Sequence, residues 1–175
     1  MRKIMLLLCC LCFLMGQDRI YFMPYENKEA LHALKAVLSS AQKSIHIAIY
    51  SFTNKEIAKV LRDQAKKGVK ISIIYDQESN LKDSFSTIGY LGALRNIDVC
   101  LLQGLQAHGG KRVHYGIMHQ KLVIVDDRIV VLGSANWSKS AFANNYENLF
   151  ITQQPNIVQK SQFYFQEMRG SCKPY

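Results

Sequence analysis

Apolar positions recur along this chain in two alternating rhythms. Residues 27–41, NKEALHALKAVLSSA, put Leu31, Leu34, Ala36, Val37 and Leu38 on a helical stripe. Residues 44–50, SIHIAIY, are β-branched and apolar, as a buried strand requires. NKEIAKVLRDQAKKG (54–68) returns to the helical period. There Ile57, Ala58 and Leu61 share an inward face, Asn54 stands where a cap is needed and Gly68 where a stop is needed. VKISIIYD (69–76) is a second buried strand, a helix is expected near 82–94, and IDVCLL (97–102) is a third strand. Helix alternating with strand predicts parallel pairing, with helices covering the sheet.

The rhythm then changes. QGLQAHGGKRVHYG (103–116) is a glycine-rich, basic loop. Two apolar runs follow, IMHQKLVIVD and RIVVLGS, joined at Asp126-Asp127. A tight acidic turn between apolar runs predicts an antiparallel hairpin. ENLFIT (147–152) is a further strand, and NIVQKSQFYFQEM (156–168) a closing helix, with Asn156 as its cap and Pro155 before it. The predicted fold is α/β, a mixed β-sheet flanked by helices, in one domain.

Length and composition fit that picture. The 175 residues suffice for one domain with a real core, and 49% apolar against 20% charged residues exclude a disordered chain. The first sixteen residues, MRKIMLLLCCLCFLMG, stand apart. Arg2 and Lys3 precede an apolar run from Ile4 to Met15, the charged and hydrophobic regions of an export signal. The run is shorter than the roughly 20 residues of a membrane-spanning helix. Three fates stay open for residues 1–16: cleavage, lipidation at Cys9, Cys10 or Cys12, and retention as an anchor. Residues 17–175 form the domain. The protein is therefore expected to be exported, periplasmic or membrane-associated. In such an oxidising compartment Cys100 and Cys172 either pair or stand alone; they lack metal-ligand spacing, and no HExxH motif occurs.

Charge narrows the partner. Lys and Arg outnumber Asp and Glu by 22 to 13, a formal charge of +9. Without residues 1–16 the balance is 20 to 13, or +7. Such a bias suits nucleic acid or an acidic membrane surface.

The hairpin carries polar residues that a buried hairpin does not need. In MHQKLVIVDDRIVVLGSANWS (118–138), His119 and Lys121 are two apart. On a strand they share a face, about 6.6 Å apart, so both reach one phosphate-sized anion. The turn sets 118–121 opposite 132–136, and Ser134 and Asn136 share a face if the return strand stays extended. Glu147 leads the next strand toward the same place. Singly, each has a plain explanation: a structural histidine, a solvated lysine, a Gly-Ser turn. Asp126 is read as a structural residue of the turn, His32 and His46 as structural histidines, and Trp137 as core in preference to a stacking platform. Five polar residues at these offsets point instead to one site.

The string His119-x-Lys121-x4-Asp126-x6-Gly133-Ser134-x-Asn136 resembles the HKD motif of the phospholipase D superfamily at every fixed position. IAIYSFTNKEIAKVLRDQAKKGVKISIIYD (47–76) resembles the first βαβ unit of its small bacterial nucleases, and Glu147-Asn148 falls where that branch has an acidic residue. The likeness runs from about Tyr21 to near the C-terminus and is strongest to exported, single-motif nucleases of the Nuc/NucT type. It implies phosphodiester cleavage through a phosphohistidine on His119, with no metal or other cofactor. Glu147 would hold the histidine tautomer, while Lys121, Ser134 and Asn136 would hold the phosphoryl oxygens; Asp126 and Gly133 complete the motif structurally. One motif per chain, where most of the superfamily has two, implies a homodimer with the site on its twofold axis. The basic charge and the loop bearing Lys111, Arg112 and Tyr115, with His108 and His114, favour DNA, single strands above duplex; that loop read plainly is a solvated segment. Two alternatives stand: an envelope lipid phosphodiesterase, and a DNA-binding protein without catalysis.

Overall fold

A computed structural model of the protein describes residues 17–107 and 113–175. Residues 1–16, and His108, Lys111 and Arg112 of the basic loop, lie outside the described residues. The strands are β1 (Arg19–Met23), β2 (Ser44–Ile49), β3 (Lys70–Asp76), β4 (Ile97–Leu102), β5 (Gln106–Ala107), β6 (His114–Tyr115), β7 (Lys121–Val125), β8 (Ile129–Gly133), β9 (Glu147–Thr152) and β10 (Lys173–Pro174). The helices are α1 (Asn27–Ser39), α2 (Lys55–Lys66), α3 (Gln77–Leu81), α4 (Ile88–Gly92), α5 (Lys139–Ala143) and α6 (Pro155–Gly170). Among the described residues no helix is long and apolar enough to cross a membrane.

Eight strands form one sheet in the order β1-β9-β8-β7-β2-β3-β4-β10. β2, β3 and β4 pair in parallel and the remaining neighbours antiparallel, so the sheet is mixed as predicted. Alternate residues feed two cores. Ile45, Ile47, Ile49, Val123 and Val131 pack under α1 and α2. Ala48, Ile74, Leu122, Ile124 and Val130 pack against Val158 and Phe165 of α6. Strands buried on both faces explain the unbroken apolar runs of SIHIAI and KLVIV.

Local chemistry fixes the ends. Asn54 Oδ1 accepts from the N–H groups of Glu56 and Ile57, capping α2. Gly68 leaves that helix at φ +96°, a conformation open to glycine. Asp126 and Asp127 take φ +50° and +55°, as the two-residue turn of a twisted hairpin needs.

Three features differ from the sequence reading. The helix expected near 82–94 is the single short helix α4, and a second short helix, α3, forms ahead of that range because Asp76 Oδ1 caps it directly at the end of β3. The cap of α6 is Gln154, with Pro155 at its first position and Asn156 already inside. The edge strands β1 and β10 and the small β5–β6 pair are absent from the sequence reading: β5, β6 and β10 have two residues each, too few to set a period, and β1, apolar at four of its five positions, pairs only with the distant β9. Cys100 and Cys172 are joined in a disulfide with Cα atoms 5.7 Å apart, holding the C-terminal segment against β4.

Candidate active site

Antiparallel pairing brings four strand ends to one edge of the sheet: the C-terminal ends of β2 and β8 and the N-terminal ends of β7 and β9. Lys121 opens β7 opposite Ile49. Its side chain is only 8% exposed, with Nζ donating to the His119 carbonyl at 2.9 Å and lying 5.2 Å from the centre of the Tyr50 ring. The imidazole of His119 meets the same ring edge-on, centroids 4.6 Å apart. Tyr50 thus gathers the two predicted residues around one aromatic surface.

Both residues sit on anchored backbone. Met118 N–H donates to Asp76 Oδ2 at 3.0 Å, which fixes the residue before His119 to the end of β3. Tyr50 N–H donates to the Gln120 carbonyl, and the Tyr50 carbonyl accepts from Asn80 Nδ2 at 2.7 Å and from the Ser79 hydroxyl. Asp76 and Asn80 are buried. Sequence reasoning missed Tyr50, Asp76 and Asn80. Its one available signal was Asp76, a carboxylate closing an otherwise apolar strand.

The other predicted residues arrive separately. Ser134 N–H donates to the Asn148 carbonyl, and the Ser134 hydroxyl accepts from Asn148 N–H at 3.0 Å, so this hydroxyl is engaged in joining β8 to β9. It faces Asn148 across the ladder, not His119. Gly133 permits that junction, because a Cβ there would lie 2.2 Å from the Asn148 carbonyl oxygen. Beyond Ser134 the chain crosses to β2. Trp137 N–H donates to the Ser51 carbonyl, and the Trp137 carbonyl accepts from Thr53 and Asn54. The Trp137 ring is buried edge-on against Phe52, centroids 4.8 Å apart, which makes it a core residue. Asn136 lies on this crossing, one residue before Trp137. Its Oδ1 is buried with no hydrogen-bond partner. An unpaired buried polar atom costs about 1–3 kcal/mol, and such atoms gather where function demands them.

Glu147 opens β9. Its carboxylate accepts from Asn145 Nδ2 at 3.4 Å, and no bond joins it to His119 among the described residues, unlike the pairing the motif implies. Glu147 stands opposite Met23 of β1, at the same edge of the sheet as Lys121 at the start of β7. The field of Glu147 does reach Lys121. Burial pulls the lysine ammonium below its ordinary pKa, and the Glu147 carboxylate partly offsets this.

Asp126 sits at the far end of β7. Its carboxylate accepts from the N–H groups of Gln42, Lys43 and Ser44 at 2.7, 2.8 and 2.9 Å. Burial opposes ionisation there, but these donors and the Lys43 charge outweigh it and hold the carboxyl below its usual value. His46 also lies away from the site, packed against Phe165, and burial lowers its pKa while Asp127 partly compensates. Tyr115 is exposed on β6.

Comparison with known proteins identifies the family and the fold. Residues 34–169 match the family model described as cardiolipin synthase, PLD-like domain. The chain is 29% identical over 153 residues to the mitochondrial cardiolipin hydrolase of Danio rerio, covering 86% of this chain and 62% of that protein. The chain therefore spans about three-fifths of that relative's length. NucT from Helicobacter pylori superposes with a TM-score of 0.88 at 48% identity, covering 91% of this chain and 99% of the other. Nuc from Salmonella typhimurium, a phospholipase D family member, shares the fold at a TM-score of 0.72 and 24% identity, over 91% of this chain and 97% of the other. The chain belongs to the phospholipase D superfamily, in the family of the PLD-like cardiolipin synthase domain.

Proposed function

We propose that this chain is a metal-independent phosphodiesterase that cuts DNA, with single strands preferred. The observation that carries the reading is the pairing of His119 with the buried Lys121 around Tyr50, at an edge that also receives Asn136 and Glu147. Binding alone needs cations at a surface; it gives no reason to bury a lysine beside a histidine and to leave an amide oxygen unpaired. The 48% identity to NucT over nearly all of that chain favours nucleic acid as the substrate.

In this reading the neutral imidazole of His119 attacks phosphorus. A phosphorus–nitrogen bond forms as the bond to the leaving oxygen breaks. That oxygen takes its proton from a second His119, supplied by another copy of the chain in a twofold homodimer. One His119 thus acts as nucleophile and its symmetry mate as acid. Water, losing its proton to the second histidine, displaces the first and releases the phosphate. Glu147 stabilises the imidazolium as the acid of a catalytic triad does. Lys121 and Asn136 stabilise the phosphoryl oxygens, and Ser134 keeps the Gly133–Asn148 junction that sets their spacing. No cofactor is required, because the lysines supply the charge. Residues 1–16 direct export to the periplasm or hold the domain at the membrane. The Cys100–Cys172 disulfide suits that compartment. Lys111, Arg112 and Tyr115 guide the strand toward the site.

The relatives named as cardiolipin hydrolases favour a second reading, a lipid phosphodiesterase using the same residues. One experiment separates them: the purified protein is given labelled single- and double-stranded DNA, RNA, phosphatidylcholine and cardiolipin, all in EDTA. DNA should be cut and the lipids left intact. Lipid turnover without DNA cleavage would select the second reading, and activity restored only by added Mg2+ or Zn2+ would sink the mechanism. Mixing His119→Ala with wild type tests the dimer, since activity should fall faster than the wild-type fraction.

A further inference from the structure

Beside the site, α2 and the segment after α3 enclose a groove of about 440 Å3. Lys55, Lys59 and Arg62 line it together with Phe85 and Tyr90, and no carboxylate does. Arg62 is steadied by Asp63 at 2.7 Å, whereas no ion pair engages Lys55 or Lys59 among the described residues. Cations without partners on one wall favour an anionic occupant.

The aromatic wall is unusual in being rigid and bare at once. Phe85 is 74% exposed and Tyr90 49%. Yet the backbone that carries Phe85 is pinned on both sides. Phe85 N–H donates to Asp83 Oδ1 at 2.8 Å, the Ser86 hydroxyl donates to Asn80 Oδ1 at 3.0 Å, and Thr87 donates to the Phe52 carbonyl through both its N–H and its hydroxyl. Leaving a phenylalanine in water forgoes roughly 1.5–3 kcal/mol of burial. A turn this well anchored holds its ring in solvent, available to a partner. Flat rings set between free cations suit a single nucleic-acid strand, whose bases expose their faces for stacking while its phosphates need charge. A duplex hides those faces.

The groove is also wired to the site. Asn80 receives Ser86 through its Oδ1 and donates through its Nδ2 to the Tyr50 carbonyl; the Tyr50 ring touches both His119 and Lys121. We infer that this groove is a nucleotide subsite adjoining the cleavage site, where Phe85 and Tyr90 stack bases of a single strand and Lys55 and Lys59 hold its phosphates. The inference rests on the nuclease reading above.

The test measures binding of a fluorescent oligothymidylate to the full chain carrying His119→Ala, alone and with Phe85→Ala or with Lys55→Ala/Lys59→Ala. Phe85→Ala should weaken single-strand binding about fivefold or more, with the salt slope and the duplex affinity unchanged. The double lysine change should reduce the salt slope by about 1.4, at roughly 0.7 per single-strand phosphate contact. All variants should melt together, because the altered side chains are exposed. Unchanged affinity and slope in a protein whose wild type cuts DNA would overturn the subsite and leave the nuclease reading standing. Loss of binding to cardiolipin vesicles, with oligothymidylate affinity retained, would also overturn it. A wild type that neither binds nor cuts DNA defeats the nuclease reading and the subsite together.

Discussion

Both ends of β7 carry polar side chains from the same short motif, under opposite conditions. At its start, Lys121 is desolvated, and across the site Asn136 Oδ1 is buried with nothing to bond. At its end, five residues away, Asp126 is surrounded by three backbone donors that lower its pKa. One end holds polar groups at a free-energy cost; the other uses a polar group to close the α1–β2 connection onto the hairpin turn. Spacing in sequence makes these residues one motif, whereas their surroundings divide them into a reactive set and a structural one. A polar residue whose needs are met within the chain stabilises the fold, and one whose needs are unmet is available to a substrate.

The largest expected effect breaks the reactive end alone. His119→Ala should abolish cleavage while the melting temperature stays near wild type, since His119 is exposed and its contact is with the Tyr50 ring. A label trapped from phosphate-labelled DNA should be acid-labile, base-stable and located on His119. Finding it on serine or on another histidine would overturn the assignment.

Lys121→Met comes next. Removing a preorganised charge from the site should lower kcat about 10²–10³-fold. Because burial of the ammonium is unfavourable, the melting temperature should hold or rise. A clear fall in stability would place Lys121 among the structural residues with Asp126.

Asp126→Asn should do the reverse. The amide keeps one acceptor where the carboxylate served three donors, so about 2 kcal/mol of stability should be lost, or roughly 4–8 °C in Tm for a chain of this size. Cleavage at low temperature should stay near wild type. The sign of the pH effect follows from the depressed carboxyl. Its stabilisation is present above the unfolded-state pKa of about 3.9 and is lost as pH falls through the lower folded-state value. Thermal melts below pH 4 should therefore converge for wild type and Asp126→Asn. Melts that stay parallel down to pH 2 would mean that Asp126 is not the titrating group.

The smallest effect concerns the ring that joins the reactive residues. Tyr50→Phe keeps the aromatic face toward His119 and Lys121 and should change kcat less than about threefold, while Tyr50→Leu, which loses the cation–π contact, should cost about tenfold. Equal effects of the two would show that Tyr50 acts by its volume alone.

Much of this was legible in the sequence because it depends on near neighbours. Asn54 and Gly68 bound α2, and Asp126-Asp127 bend the hairpin, through contacts within a few residues. The mixed sheet followed from apolar runs separated by helical periods. The short α3 ahead of α4 was not legible, since Asp76 caps it from the last position of a strand. Ser134 looked like a holder of phosphoryl oxygens because it stands two residues from Asn136, but the ladder to β9 turns its hydroxyl to the Asn148 N–H.

By itself, then, the sequence determined the order of helices and strands, the turn, and the residue types His119, Lys121, Asn136 and Glu147 that a phosphodiester site needs. Tertiary structure alone decided that the Tyr50 ring meets both His119 and Lys121, that Asp76 and Asn80 anchor the backbone around them, and that Cys100 meets Cys172. Periodicity and capping act over a few residues and are written locally. Strand order, register and burial arise from pairings dozens of residues apart, and only those pairings determine which polar atom is satisfied and which is left for a substrate.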